Sequence, residues 1–461
     1  MISPAVIEML VKALGRENVI TSKEDLLCYA YDATADMPRH LPEVVVSPGS
    51  TEEVVKVVKV ADEHGIALYT RGAGTNLSGG TVPLQGGIVM SMLKMNKILE
   101  IDKDNLTATV QPGVIIQELN DAVAPFGLIY PPDPGTVTTA TMGGSVAECS
   151  GGLRGLKYGV TKHYVMGLQV VMADGEVIRA GGKTVKNVTA YDLVKLFTGS
   201  EGTLGVITEI TVKLVPAPET RRSMLASFAD MDGAARTITG IVSQKVIPAT
   251  LEVMDNVTVR TVENYAKIGL PVEAAAILLI EVDGIPEVVE REAEIVARVC
   301  RKNGGEVQIA QTDAERDRLW SARRAALPAL AQVSPTTVLE DATVPRTKVP
   351  EMLKALQEIA KKYNLRIGTF GHAGDGNLHP TILADERDQE QMERVHKAVD
   401  EIFQVAIGLG GTLSGEHGIG AAKKKYLEWE LGPSGVEVLR KIKKALDPKG
   451  ILNHGKMVDV G

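Results

Sequence analysis

The spacing of apolar residues predicts that the chain begins with a strand–helix–strand unit. Valines at positions 54, 55, 57, 58 and 60 follow helical spacing, so we expect a helix over residues 52–64. Runs rich in β-branched residues at 43–48 and 66–70 flank this helix and predict two strands. A glycine-rich loop, residues 71–80, follows the second strand directly, and another glycine-bearing loop is expected over 199–208.

The pattern changes after the turn-forming segment Pro216-Ala217-Pro218. Beyond it, apolar strand-like runs alternate with charged, helix-periodic stretches. The runs lie at 223–228 and 276–282, and the predicted helices at 231–244, 288–302, 349–363 and 387–409. This pattern predicts an antiparallel sheet with helices on one side, an α+β domain separate from the first.

Composition narrows the class of protein. The 461 residues are 44% hydrophobic and 23% charged, and the formal net charge is −8. An acidic chain without a Lys/Arg run argues against nucleic acid as a partner. No apolar run approaches the roughly 20 residues that a membrane span needs. The three cysteines are far apart and the start does not resemble a signal peptide, so we expect a cytoplasmic protein that cannot hold its own iron–sulfur cluster.

Two histidines beside an Asp-Gly pair predict a metal site. A two-residue turn at Asp375-Gly376 would place His372 directly opposite His379, with Cβ atoms roughly 5 Å apart. With Glu416 as a carboxylate ligand, the set becomes a His₂-carboxylate site with open positions for substrate. Zn²⁺, Fe²⁺ and Mn²⁺ all fit such a site. The alternative is that these are polar residues of surface loops.

The loop over residues 71–80 predicts a phosphate-binding segment, because closely spaced glycines let backbone N–H groups approach phosphate oxygens. It is neither of the two common nucleotide motifs. A Rossmann fingerprint would need glycine at position 77, which is Leu77, and a Walker loop would need Gly-Lys-Ser/Thr at its end. Small residues over 138–147 and 150–152 would let a flat ligand lie against the backbone.

Taken together, these motifs resemble one family. Arg71-Gly-x-Gly-Thr-Asn, the Pro-Pro-Asp-Pro turn at 131–134, Met142-Gly-Gly, Gly199-Ser-Glu-Gly-Thr-Leu-Gly, Gly371-His-x-Gly-Asp-Gly-Asn-Leu-His and Gly415-Glu-His-Gly-Ile-Gly occur in that order. The chain resembles FAD-linked oxidases of the vanillyl-alcohol-oxidase type. Within that family it is similar to the branch of glycolate oxidase catalytic subunits and D-lactate dehydrogenases.

The resemblance implies a two-subdomain FAD-binding domain over 1–218, a substrate-binding α+β cap domain over 219–410, and a C-terminal segment, 411–461, that completes the flavin and metal sites. Ala73 stands where relatives with covalent flavin often carry histidine, so non-covalent FAD is expected. The family tail Asn-Pro-Gly-Lys reads Asn453-His454-Gly455-Lys456 here. The implied FAD contacts are Arg71, Gly72, Ala73, Gly74, Thr75, Asn76, Ser78, Pro132, Asp133, Thr138, Gly143, Gly144, Ser150, Gly151, Glu201, Gly202, Ile207 and Asn453.

Oxidation of a 2-hydroxy acid assigns roles to the remaining residues. Arg323 could hold the substrate carboxylate in a bidentate pair, although a surface salt bridge is the alternative. The metal at His372, His379 and Glu416 would polarise the hydroxyl, and His417 is the candidate base unless it is structural. Asn377 could point its amide into the site or be only a turn residue.

The predicted substrate is a small D-2-hydroxy acid, D-lactate or glycolate. Relatives that oxidise larger dicarboxylates, such as D-2-hydroxyglutarate, carry an extra Lys and a Thr after the arginine, and this chain has Leu327 and Leu339 near those places. A metallohydrolase that uses the same His₂Glu site, and an alkyl-dihydroxyacetone-phosphate synthase or binding subunit, are the alternatives. Electrons would pass to a separate acceptor: an iron–sulfur subunit, an electron-transferring flavoprotein, a cytochrome or a quinone. Partner subunits could hold the protein at a membrane surface.

Overall fold

The computed structural model describes residues 2–460. Its α-helices are α1 Pro4–Leu14, α2 Lys23–Leu26, α3 Thr51–His64, α4 Ile116–Val123, α5 Met142–Glu148, α6 Gly155–Tyr158, α7 Leu193–Phe197, α8 Met231–Ser243, α9 Asn256–Ala266, α10 Pro286–Lys302, α11 Asp313–Arg324, α12 Ala326–Ala331, α13 Val349–Lys362, α14 Gln389–Gly408 and α15 Leu427–Leu446. Its strands are β1 Val19–Ile20, β2 Val44–Val46, β3 Leu68–Arg71, β4 Ile88–Ser91, β5 Ile98–Asp102, β6 Thr107–Val110, β7 Leu128–Ile129, β8 Val165–Val171, β9 Val177–Gly181, β10 Val206–Lys213, β11 Val215–Pro216, β12 Thr220–Phe228, β13 Thr250–Asp255, β14 Ala276–Gly284, β15 Glu306–Ile309, β16 Thr336–Leu339, β17 Ala342–Thr343, β18 Arg366–His372 and β19 Asn377–Ala384.

The described chain divides into two compact units. The first holds the residues up to Ser150, then Val160–Ala217, and the segment from Glu416 onward; the second holds Gly151–Gly159 and Pro218–Gly415. In the first unit one sheet has the order β1-β2-β4-β3, with β4 parallel to both β2 and β3. A second sheet, β5-β6-β10-β8-β9, is antiparallel.

The predicted strand–helix–strand unit is present as β2, α3 and β3. Ser50 caps α3 by accepting a hydrogen bond from the Glu53 N–H, and Gly65 ends the helix with a φ of 60°. The valines of α3 lie in a buried apolar cluster with strands β2, β3 and β4. The glycine-rich loop therefore leaves the carboxyl end of β3 from a well-packed base.

The predicted end of the loop over 199–208 is wrong. Strand β10 begins at Val206, because Val206 and Ile207 pair with Val171 and Val170 of β8. The β-branched residues Val206, Ile207 and Thr208 already favoured a strand. The glycine-bearing turn is thus shorter than its sequence pattern suggested.

The second unit is built on an antiparallel sheet of order β15-β12-β14-β13-β18-β19-β16, with β17 pairing to β19. Ile277 and Leu279 of β14 belong to an apolar cluster that also takes residues from α9, α11 and α12. Leu278 and Ile280 point to the opposite face and are equally buried, while α8 and α10 also contact β12 and β14. The prediction that helices cover only one side of this sheet is therefore wrong. Both faces of the sheet are apolar, and both must be covered.

Candidate active site

The two histidines predicted as metal ligands lie on adjacent strands of the second unit. His372 is the last residue of β18, His379 lies in β19, and both are buried. Their ring centroids are 5.1 Å apart, with the rings nearly perpendicular at 88°. One nitrogen from each lies within 4.8 Å of the other, a separation that a shared cation could bridge.

The predicted pairing of His372 with His379 is wrong. The observed register opposes His372 to Asn377 and His379 to Phe370, so the partner of His372 shifts by two residues. Side chains alternate between the two faces of a sheet with a period of two, and an even shift keeps each side chain on its face. The two imidazoles are therefore diagonal neighbours on one face.

The loop that connects β18 and β19, residues 373–376, is longer than the predicted two-residue turn, and neighbouring segments hold it in this form. The Gly374 N–H donates to the Leu251 carbonyl at 3.0 Å, and the Val344 N–H donates to the Gly376 carbonyl at 3.0 Å. Gly376 has a φ of 89°, and a Cβ there would collide with the Val344 carbonyl. These tertiary contacts override the preference of Asp-Gly for a two-residue turn.

A buried carboxylate joins His372 to Arg323. Glu252, on β13, is 1% exposed; its Oε1 lies 2.7 Å from His372 Nδ1, and its Oε2 accepts a hydrogen bond from Arg323 Nε at 2.6 Å. Burial alone would raise the pKa of Glu252, but His372 and then Arg323 bring that pKa below its ordinary value. The Arg323 guanidinium also lies 4.8 Å from the centre of the Phe370 ring. Arg323 is therefore a buried, fixed cation and not a surface salt bridge.

A second buried carboxylate organises the other side of the hairpin. Asp341 accepts hydrogen bonds from the Asn377 amide and, at 2.7 Å, from the Ser414 hydroxyl. Its Oδ1 also lies 3.7 Å from His379 Nδ1, beyond hydrogen-bond distance. Asn377 donates to Thr343 Oγ1 as well, so its amide is committed to this network and its role is more than that of a turn residue.

The predicted third ligand and base, Glu416 and His417, open the last segment of the first unit. A carboxylate oxygen of Glu416 lies 4.0 Å from His417 Nε2, and both side chains are largely buried. The next residues fold onto a carboxylate of the same unit, because the Ile419 and Gly420 N–H groups each donate to Glu201 at 2.6 Å. Glu201 was predicted as a flavin contact, and here it fixes the backbone beyond His417.

The glycine-rich loop is held by its own side chains. Arg71 donates to the Tyr31 carbonyl at 2.8 Å and to Thr81 Oγ1 at 3.1 Å. Asn76 accepts from the Gly80 N–H at 2.9 Å and donates to Thr81. Both residues were predicted as flavin contacts, and both shape the loop from within. Gly72 is required because a Cβ there would collide with Thr141 Oγ1.

Several buried polar atoms of the first unit have no hydrogen-bond partner within residues 2–460. Among them are the hydroxyl oxygens of Ser78 and Ser145 and the side-chain oxygen of Asn453. Buried polar groups are normally paired, so such a set fits a polar ligand with hydrogen-bonding groups of its own. A flavin dinucleotide, with hydroxyl, phosphate and imide groups, is chemically matched to this set.

The other predicted flavin contacts take different positions. Pro132 and Asp133 are buried, and Ile207 lies in β10. Gly143 and Gly144 lie in α5, whose cap Thr141 accepts from the Gly144 N–H. Gly151 falls in the second unit. The remainder lie in loops of the first unit: Ala73, Gly74, Thr75, Thr138, Ser150 and Gly202.

Sequence reasoning missed two buried lysines that support the glycine-rich loop and its surroundings. Lys456 donates to the Gly79 carbonyl at 2.7 Å and the Val82 carbonyl at 2.6 Å, and burial lowers its pKa to about 8. Lys443 donates to the Thr203 and Leu452 carbonyls, both at 2.7 Å. Asn453 lies between these contacts and donates to the Gly80 carbonyl at 3.0 Å.

Sequence reasoning also missed Glu252 and Asp341. Glu252 lies in β13 and Asp341 in the link between β16 and β17, both outside the histidine motif, and one glutamate or aspartate among 58 acidic residues carries no local mark. The only available signal was a carboxylate inside an otherwise apolar strand, as in Thr250-Leu-Glu-Val-Met. A buried charge needs a partner, and that rule would have singled out Glu252.

Family models match most of the chain. The model described as the C-terminal domain of FAD-linked oxidases matches residues 217–457, and an FAD binding domain model matches residues 42–181. These matches assign flavin binding to the first part of the chain, where the glycine-rich loop lies. They also assign the hairpin to a domain specific to FAD-linked oxidases.

Curated relatives align over nearly their full length. Glycolate oxidase subunit GlcD of Bacillus subtilis is 52% identical over 458 residues, covering 99% of this chain and 97% of the relative. D-lactate dehydrogenase of Archaeoglobus fulgidus is 40% identical over 440 residues, covering 93% and 95%.

Among solved structures, p-cresol methylhydroxylase with substrate bound superposes with a TM-score of 0.81, at 20% identity, covering 99% of this chain and 97% of that one. At this identity the likeness establishes the fold alone, and it agrees with the predicted fold class. The chain belongs to the FAD-linked oxidases of the vanillyl-alcohol-oxidase type, in the branch that contains glycolate oxidase subunits and D-lactate dehydrogenases.

Proposed function

We propose that this chain oxidises a small D-2-hydroxy acid, D-lactate or glycolate, to the 2-oxo acid with non-covalent FAD and a divalent metal. The observation that carries the proposal is the cluster that Arg323 of helix α11 forms with Glu252, His372 and His379 of the sheet in the second unit. A buried guanidinium and paired imidazoles suit a substrate with a carboxylate and a neighbouring hydroxyl. The names of the two curated relatives support hydroxy-acid oxidation.

Arg323 is proposed to bind the substrate carboxylate. Glu252 accepts a hydrogen bond from the Nε–H of Arg323. The two terminal nitrogens of the planar guanidinium are then available for a bidentate pair with the substrate carboxylate. Leu327 and Leu339 pack against the apolar cluster that contains Phe370. An apolar wall near the arginine disfavours the second carboxylate of a D-2-hydroxyglutarate-like substrate, because that charge would be buried without a partner.

His372 and His379 are proposed as metal ligands, with Glu416 as the third. Glu252 binds His372 Nδ1, which directs Nε2 toward the other side of the ring. Glu416 follows Gly415, and a side chain at Gly415 would collide with Thr343 and Asn377 of the hairpin network. Zn²⁺, Fe²⁺ and Mn²⁺ all suit such a donor set. A bound cation would lower the pKa of the substrate hydroxyl.

His417 is proposed to take the hydroxyl proton. A neutral imidazole is available near pH 7, and a positioned base contributes roughly 10²–10⁴-fold to a rate. FAD, when bound, supplies the hydride acceptor at N5. The metallohydrolase alternative uses the same ligands but has no need for the FAD binding domain that the family model identifies.

Electrons must leave through a separate acceptor. The chain has three cysteines, all free, which is fewer than an iron–sulfur cluster normally requires. No helix within residues 2–460 is long and apolar enough to cross a membrane. The relative from Bacillus subtilis is named as a subunit, which supports a partner protein, either an iron–sulfur subunit or an electron-transferring flavoprotein, with a quinone as the alternative. A cytoplasmic location, peripheral to a membrane through such partners, is part of the same proposal.

Anaerobic mixing with D-lactate, L-lactate or glycolate, with flavin absorbance as the readout, tests the proposal. We expect D-lactate or glycolate to bleach the flavin and L-lactate not to do so. Prior treatment with a chelator should abolish the bleaching, and added Zn²⁺ or Mn²⁺ should restore it. A flavin that none of these acids bleaches would overturn the substrate assignment. Bleaching that survives metal removal would overturn the role of the metal.

A further inference from the structure

We propose that Glu252 is a positioning residue that holds the substrate-binding arginine and a metal-binding histidine with one carboxylate. The inference rests on the proposed function of Arg323 and His372. It goes further in assigning both binding events to a residue that would itself touch neither substrate nor metal. Its consequence is that a single change should weaken metal affinity and substrate affinity together.

The geometry of the sheet places Glu252 between its two partners. Strand β13 pairs with β18 in a register that opposes Val253 to Gly371 and Met254 to Phe370. The next position in this register sets Glu252 opposite His372, on the face that also carries the Phe370 ring beneath Arg323. The carboxylate therefore bonds to His372, its neighbour in the sheet, and to Arg323, which is carried by helix α11.

Both oxygens of Glu252 are engaged, one with each partner. Oε1 lies 2.7 Å from His372 Nδ1, so that Nε2 is the ring nitrogen left to bind a metal. Oε2 accepts from Arg323 Nε at 2.6 Å, which leaves the fork of the guanidinium to face a substrate carboxylate. At 1% exposure, water cannot replace either bond.

Two other buried carboxylates of the second unit, Asp341 and Glu281, have different hydrogen-bond partners. Asp341 is bonded to Asn377 and Ser414, and its distance to His379 Nδ1 is 3.7 Å. Glu281, on β14, bonds to Ser223 at 2.5 Å and to the Trp320 indole N–H at 2.9 Å. Glu281 is buried to a similar degree and sits under the same helix, so it provides a matched control.

Glu252→Gln keeps the shape of the side chain and removes the charge. Changes to a hydrogen-bond partner of a metal ligand typically cost about 10–100-fold in metal affinity, so we expect Zn²⁺ to bind the metal-stripped holoenzyme that much more weakly. The KM for the bleaching acid should rise about 10-fold in the same variant, because Arg323 remains but loses the carboxylate that fixes its guanidinium in place. Flavin content should stay at the wild-type level. Glu281→Gln should leave Zn²⁺ affinity and KM within about twofold of wild type, because Glu281 bonds to Ser223 and Trp320 and to neither of the partners of Glu252.

Calorimetric titration of the stripped FAD-loaded protein with Zn²⁺ alone, and stopped-flow bleaching after metal is restored, give the two readouts. A Glu252→Gln protein in which only one of the two quantities changes would overturn the shared role. Should Glu252→Gln fail to fold, Arg323→Lys gives a second test: Arg323 is not a proposed ligand, yet its loss should weaken Zn²⁺ binding by about threefold or more through Glu252. Unchanged Zn²⁺ affinity there would sink the inference. Flavin bleaching by wild type is independent of these outcomes, so failure of the proposed function is seen separately.

Discussion

Buried charge is handled differently in the two candidate binding regions. In the second unit, charged side chains pair with one another. Glu252 bonds to Arg323, which is 71 positions away in the sequence, and to His372, which is 120 positions away. In the first unit, Lys456 donates to the Gly79 and Val82 carbonyls at the glycine-rich loop, and Lys443 donates to the Thr203 and Leu452 carbonyls besides pairing with Asp447.

The difference follows from what each region is proposed to bind. A metal and a small anion demand charged groups at fixed angles, and such groups are costly to bury unless they are paired. A dinucleotide is bound over a long surface mainly by backbone shape and neutral donors, so the charges there stiffen the backbone from behind. Removing a charge should therefore change affinity and rate where it belongs to the proposed substrate and metal residues, and stability and flavin retention where it supports the glycine-rich loop.

The largest effect is expected at His417. His417→Ala should lower the rate of flavin bleaching by roughly 10²–10⁴-fold, because a positioned base contributes about that factor. Flavin content should not change, and His64→Ala, at the exposed end of α3, serves as the matched control. A rate within threefold of wild type in single-turnover stopped flow would remove His417 from the mechanism.

Removal of Lys456 should destabilise the first unit. Lys456→Met leaves the Gly79 and Val82 carbonyls without their donor, and a buried unsatisfied group costs roughly 1–3 kcal/mol. We expect a loss of roughly 2–4 kcal/mol in the free energy of unfolding by urea, with less FAD retained after desalting. Lys449→Met is the control, because Lys449 is exposed and pairs with Asp62. A Lys456→Met protein as stable as wild type would contradict the claim that this buried lysine stabilises the first unit.

The pH dependence of stability should report the same lysine. The pKa of Lys456 falls from 10.5 to about 8 on folding, so between these values the unfolded chain binds more protons than the folded one. Stability contributed by this group therefore rises as pH increases from 8 to 10.5, by at most about 3 kcal/mol. The difference between wild type and Lys456→Met in urea unfolding should grow over this range. A difference that stays flat or shrinks contradicts the lowered pKa.

The smallest effect separates two neighbouring arginines. Arg323→Lys keeps the charge but loses the planar fork, and we expect KM to rise about 10-fold, equivalent to about 1.4 kcal/mol. Arg324→Lys, at the exposed next position, should change KM less than threefold. Steady-state kinetics with the bleaching acid measure both. Equal effects would show that the buried position of Arg323 does not matter for substrate.

Local sequence was sufficient for elements whose signals are local. Helix α3 was predicted from the spacing of its valines, and it forms between Thr51 and His64 because Ser50 and Gly65 satisfy its ends. The family motifs predicted the fold class, since their order along the chain is specific. The hairpin register was missed, because contacts from Leu251 and Val344 decide the length of the loop and neither is near it in sequence.

The sequence by itself predicted that His372 and His379 share a face, and this holds because the observed register differs from the predicted one by two residues. It also determined that a glycine-rich loop follows a buried strand. Only the tertiary structure decided which carboxylate meets Arg323 and His372, because Glu252 reaches them through strand pairing and helix packing. It alone placed Lys456 under the loop at Gly79. Long-range partners of buried charges depend on where strands and helices pack, and no local pattern encodes that choice.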